Sequence, residues 1–378
     1  MKTVIILSIN NYDKILQDLI KEEIEKKIKS GEEVDKEKLL SAIKDIYSPE
    51  KIDEYAHPIY QSLLKEGPEI VEEDRLITQE FESRLQLRWL SAFYDLTSII
   101  KIAEETAADI IDDYMANQAT IDGDQTFVTL VFDVLMKLYS KAIVLSKEIK
   151  TLLKSGYADG AMSRWRSLHE CNVYFTLLTM KYDDKEYTKK IIHKFYEYSI
   201  IEKHQELTNY YKKDNDFNLN STEIKAIEED YKEILNKYGN DFKHPYSWAR
   251  CIFPNKPRIY FSDLEKKAGI DHLAIYYKQA NYQIHTSPTG LYNSLGNIQD
   301  DRVKEYGFIL GPSNYGLSIP GQLTMISLAQ ISTSLLSLDT NIDKMIRTSI
   351  FQKYLDRATV NFDSIQTEIE KESLDIDN

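Results

Sequence analysis

Residues that force turns are scarce in this chain. Of its 378 residues, 13 are glycine and 9 are proline. That is too few to punctuate many short strands, so long helices are expected. Cysteine is scarcer still: Cys171 and Cys251 allow one disulfide at most, which excludes a disulfide framework and points to a reducing cytosol. No stretch approaches the roughly 20 apolar residues that span a bilayer. The opening MKTVIILSINNYDK has an apolar run too short for a signal peptide and no small-residue cleavage site. The expectation is a soluble, cytoplasmic protein without membrane contact. Positive charge is also in deficit. With 47 Lys and Arg against 61 Asp and Glu, the net charge is −14. Such a surface opposes non-specific nucleic-acid binding as a whole, while leaving room for a local basic groove. Absent too are the phosphate loop GxxxxGK, the dinucleotide turn GxGxxG, and the metal signatures HExxH and CxxC. His193 and His204 stand 11 residues apart on one expected helix, too far to share a metal. No metal and no cofactor are expected.

What is present reads as an all-α, multi-helix bundle with long antiparallel helices. The chain is 42% hydrophobic and 29% charged, and its 26 tyrosines supply apolar area with a polar tip for contacts between helices. Helical spacing appears over Ile15–Lys29 and Asp35–Tyr47. A longer pattern runs from Glu69 to Met115, with Ile77, Phe81, Leu85, Trp89, Phe93, Leu96 and Ile100 on one stripe. The polar segment 117–126 is the best boundary. Beyond it, Phe127 to Leu152 steps by three or four until Ser155-Gly156 stops the helix, and another runs from Ala158 to Tyr182, making an αα-hairpin. Further helices are expected at Tyr187–Lys212, Thr222–Tyr238, Asp271–His285, Leu323–Leu338 and Asp343–Glu370, with a short capped one from Ser262. This gives a charged N-terminal helical region (1–118), a core domain (122–345), and a C-terminal helix with a solvated acidic tail (346–378).

The segment richest in chemistry is KSGYADGAMSRWRSLHE, residues 154–170. Arg166, His169 and Glu170 lie at i, i+3 and i+4, hence on one helix face, and Arg164 is within reach of it. Imidazole titrates near neutral pH and can take a proton from a ribose 2′-hydroxyl or return one to a leaving oxygen. Guanidinium holds a phosphate by paired hydrogen bonds and stabilises developing charge. The same residues also read as an intrahelical Arg166–Glu170 pair beside a hydrogen-bonded histidine. Asn281, Tyr282 and His285 could complete a composite pocket with His169, or simply end a helix. In residues 242–262, Lys243, Arg250, Lys256 and Arg258 alternate with Trp248 and other aromatics. That pattern suits a single RNA strand, and equally an irregular loop anchored by its rings.

Residues 122–340 resemble the uncharacterised bacterial family DUF5677, on a motif close to SGxxxGAxxRWRxLHE and a later tyrosine–histidine segment, here Tyr282 and His285 in NYQIHTSP. Arg164-x4-His169 also resembles the Arg-x4–6-His motif of HEPN domains, with Trp165 standing where many active members place a polar residue. The resemblance implies Arg164 and His169 as the active pair of a metal-independent endoribonuclease, or an inactive RNA- or nucleotide-binding relative. It further implies a homodimer serving stress response or phage defence, with an antitoxin or defence-system protein as partner. The alternatives from the residues themselves are a non-catalytic helical protein-interaction module and a nucleotide-sensing or nucleotide-transferring bundle.

Overall fold

The structure is a computed structural model that describes residues 12–30, 37, 40–41, 44, 46–117, 125–211, 221–285, 287–296 and 310–375. Among these residues there is no strand. The helices are α1 (Tyr12–Lys29), α2 (Pro49–Arg88), α3 (Leu90–Asn117), α4 (Gln125–Lys154), α5 (Ala158–Thr179), α6 (Lys185–Tyr211) and α7 (Ser221–Tyr238). They continue as α8 (Phe261–Ala268), α9 (Ala274–Ile284), α10 (Pro288–Tyr292), α11 (Ser318–Leu336) and α12 (Ile342–Asp375). Single 3₁₀ turns form at Asn240–Lys243, Ser247–Cys251 and Asp271–Leu273. The expected helix at Asp35–Tyr47 falls largely outside the described residues. The long 69–115 pattern is divided at Trp89, although Trp89 N–H still donates to Leu85 O at 3.0 Å and Phe93 N–H to Trp89 O at 2.9 Å. α12 runs on to Asp375, through residues expected to form a tail.

The chain divides into two compact units, Met1–Thr78 and Gln79–Asn378. The second therefore holds α3, which the sequence reading grouped with the N-terminal region, together with α12. Its centre is α11, whose residues are apolar, small or hydroxyl-bearing except Gln322 and Gln330. Leu323, Met325, Leu328 and Ile331 are buried along with Thr324, Ser327 and Ser332, as a helix enclosed all round requires. Helices α3, α4, α5 and α12 pack around it. The enclosed hydroxyls find partners within the helix: Thr324 donates to Pro320 O and Ser332 to Leu328 O, each at 2.7 Å. Asp95 of α3, also fully enclosed, is held by Arg357 and by Asn361 Nδ2 at 2.6 Å, both from α12.

The hairpin of α4 and α5 presents the candidate site. Gly156 closes α4 with φ +79°, and a methyl there would meet the Phe81 ring and Ser313 O, both at 2.8 Å, so only glycine fits. Its carbonyl accepts from Ser313 N–H at 2.9 Å, fixing the turn to the segment that leads into α11.

Candidate functional site

α5 is buried on most of its circumference, against α4 and α11 on one side and α8 and α9 on the other. Trp165 anchors the α11 side, its Nε1–H shared between Leu323 O at 3.1 Å and Ser327 Oγ at 3.0 Å. Two turns on, Asn172 Nδ2 donates to Gln330 Oε1 at 2.5 Å. These bonds fix the rotation of α5 about its axis and thereby decide which way the arginines and histidine point.

His169 points inward. Its exposure is 0%, and its ring lies among Trp165 (5.1 Å between centroids), Tyr277 (5.5 Å) and Phe261 (6.0 Å, edge-on). Its Nε2 stands 2.8 Å from Oε1 of Glu265 on α8, itself 3% exposed. With Nε2–H donating to that carboxylate, a neutral ring leaves Nδ1 as a bare acceptor, and Nδ1 has no partner. Arg166 and Glu170 stay about a third exposed and pair with each other at 3.1 Å. Tyr277 of α9 donates to the same Glu170 oxygen at 2.6 Å, beneath the Arg166 guanidinium, 5.1 Å from the ring centroid. Burial, then the Glu170 carboxylate, pushes the Tyr277 hydroxyl well above the usual phenol range, so it remains a donor. Arg164 turns the other way, onto Glu148 of α4, and its guanidinium holds that carboxyl below the usual range. The two arginines thus face different neighbours, and the imidazole is wholly buried. The expected exposed arginine–histidine cleft is not formed, because the apolar environment that α5 needs on this side encloses the ring.

The other expected groups are also placed. Tyr282 is half-buried and His285 exposed at the C-cap of α9, where its backbone N–H donates to Asn281 O at 3.2 Å. The tyrosine that α9 turns toward α5 is Tyr277, one helical turn before Asn281; the side-chain Oδ1 of Asn281 is buried without a partner. In the 242–262 loop, Trp248 is 2% exposed and packs edge-on against Phe195 (5.0 Å) and Tyr174 (5.5 Å), so it offers no stacking face. Arg250 caps the carbonyls of Lys256 and Pro257, and Lys256 pairs with Asp263. Lys243 and Arg258 are exposed, Arg258 lying over the Tyr260 ring at 5.2 Å. Tyr246 enters this loop with φ +60° in left-handed backbone, beside Phe261.

Three partners escaped the sequence reading: Glu148, Glu265 and Tyr277. Glu265 sits in SDLEKK, which the sequence marks only as a short capped helix. A signal for Tyr277 existed in the i, i+4 pair Tyr277 and Asn281, together with Leu273 and Ala280. Among the described residues, no three His, Cys, Asp or Glu side chains gather as a metal site, and no helix is long and apolar enough to cross a membrane.

Fold and site together define an all-α helical bundle whose arginine–histidine helix is tied internally to its neighbours. Within it, residues 132–303 match the model of a family of unknown function, DUF5677. The match contains α5, α8 and α9 whole, and so every residue of the His169 cluster. Neither a curated protein nor a solved structure matches the chain.

Proposed function

We propose that this chain is a non-catalytic helical interaction module, in which the RWRxLHE segment clamps the core instead of cleaving RNA. The observation that carries this reading is the enclosed His169–Glu265 pair at 2.8 Å. A general base must come within hydrogen-bond reach of the proton it removes, and this imidazole meets only side chains of its own fold. Arg164 and Arg166 are likewise engaged, with Glu148 and Glu170. The surface instead offers scattered tyrosines, among them Tyr94, Tyr196, Tyr260 and Tyr292, each more than half exposed, on a chain of charge −14. Tyrosine is enriched where proteins meet, and the acid surplus favours a partner with a basic face.

One observation favours a second reading, a nucleotide-binding bundle. Arg166 Nε is buried without a partner while its guanidinium is partly exposed beside Tyr277. That arrangement could receive a phosphate, and a nucleotide bound there would raise the melting temperature.

The HEPN-like ribonuclease and the clamp make opposite demands on variants. Total RNA incubated in EDTA with the parent, Arg164→Ala or His169→Ala is expected to stay intact in every case, and His169→Ala is expected to melt earlier than the parent. Cleavage by the parent that either variant abolishes, with melting temperature unchanged, would overturn the proposal and restore the ribonuclease.

A further inference from the structure

Lined by none of the residues of the His169 cluster, a cavity of about 750 Å³ lies in the second unit, within the range of roughly 300–1,000 Å³ typical of small-molecule sites. It lies where the C-terminal end of α3 and the start of α4 meet the start of α6 and the junction of α11 with α12. Its floor is aliphatic: Val131, Leu135, Met136 and Leu335 are all buried. Aromatic rings stand around it. Tyr114 and Phe132 stack face to face with centroids 3.7 Å apart and planes 9° apart, and the Tyr114 hydroxyl is directed to Thr129 at 3.0 Å. Phe127 stacks on His193 at 6.0 Å.

The rim is charged but balanced. Lys185, Lys189 and Lys344 are matched by Asp113, Glu186 and Asp339, and Lys344 already pairs with Asp339 at 3.0 Å. A ligand carrying a phosphate or carboxylate would gain little from a rim whose charges cancel, and would still lose its hydration. A neutral molecule gains from the apolar floor and flat rings without that cost. The unbranched Met136 can adjust to an irregular ligand surface.

We infer that this cavity is a binding site for a neutral, ring-bearing hydrophobic small molecule. It is separate from the clamp around His169 and does not depend on the interaction reading above.

The test uses the full chain and two fluorescent probes, neutral N-phenyl-1-naphthylamine and its anionic relative anilinonaphthalene sulfonate. The neutral probe is expected to bind saturably at one site and more tightly than the sulfonate. Filling the cavity from two different elements, with Val128→Trp on α4 or Leu338→Trp after α11, is expected to weaken that binding at least tenfold. Circular dichroism identifies the variants that stay folded, and two positions guard against one failing to fold. Leu291→Ser removes an exposed apolar group elsewhere and is expected to leave binding unchanged. Non-saturable binding, tighter binding of the sulfonate, or full binding by either folded Trp variant would each overturn the inference.

Discussion

Replacing His169 by alanine should destabilise the second unit through Glu265 more than through lost packing. The imidazole is wholly enclosed and Glu265 is 3% exposed, with Nε2 and Oε1 2.8 Å apart. Without the ring, that carboxyl keeps its burial and loses the hydrogen bond that compensated it. Removing one member of a buried pair costs about 3–5 kcal/mol, and the space left among Trp165, Phe261 and Tyr277 pushes toward the upper end. At about 2–4 °C per kcal/mol for domains somewhat smaller than this one, melting should fall by roughly 6–20 °C. Glu265→Ala alone should cost less, since a neutral imidazole left behind is cheaper to bury than a carboxylate. The decisive member of the series is His169→Leu with Glu265→Leu. Replacing both partners by apolar residues of similar size is often close to neutral, so the double variant should recover most of what His169→Ala loses. Urea titrations of the full chain, followed by circular dichroism, supply the free energies. A His169→Ala cost below about 1 kcal/mol, or a double variant as unstable as the sum of its parts, would refute the reasoning.

Two further outcomes follow from the packing. In Gly321→Ala, the added methyl would lie 2.4 Å from two carbons of the enclosed Phe362 ring; a loss of about 1–3 kcal/mol is expected, with partial rescue by Phe362→Leu, both read from urea melts. Burial pushes the hydroxyls of Tyr139, Tyr174, Tyr187 and Tyr277 above the free-phenol value of 10.0. The native state therefore keeps protons that the unfolded chain releases, and this stabilisation, full below pH 10, should be lost as pH rises beyond it. Melting temperatures should hold from pH 8 to near 10 and fall by pH 11, and the tyrosinate absorbance of the buried rings should appear only with unfolding; a flat profile would contradict the burial.

Much of the helical framework can be read from residue spacing alone. The stop at Gly156 is legible because a left-handed backbone is nearly confined to glycine, and α4 to α7 follow from apolar residues recurring every three or four positions. The division at Trp89 is not legible, because its carbonyl and N–H keep helical partners on both sides. The site was legible in membership but not in direction. Spacing places Arg166, His169 and Glu170 on one face, yet whether that face meets water depends on α8 and α9, whose Glu265 and Tyr277 lie 96 and 107 residues away in sequence. The aromatic loop illustrates the same limit. Its basic–aromatic alternation fits an RNA platform and a buried anchor equally well, and only the packing of Trp248 on Phe195 and Tyr174 separates the two.

The position of α11 in the chain bears on how the molecule is made. The helix around which α3, α4, α5 and α12 assemble begins only at Ser318, so it leaves the ribosome after α3, α4 and α5. Until then the α4–α5 hairpin, local in sequence and able to form early, presents to its surroundings the seam that α11 will later occupy, including the unshared indole N–H of Trp165. Until Ser318–Leu336 has emerged, α3, α4 and α5 are therefore helices lacking their axis. The nascent chain's dependence on chaperones should be concentrated in that interval.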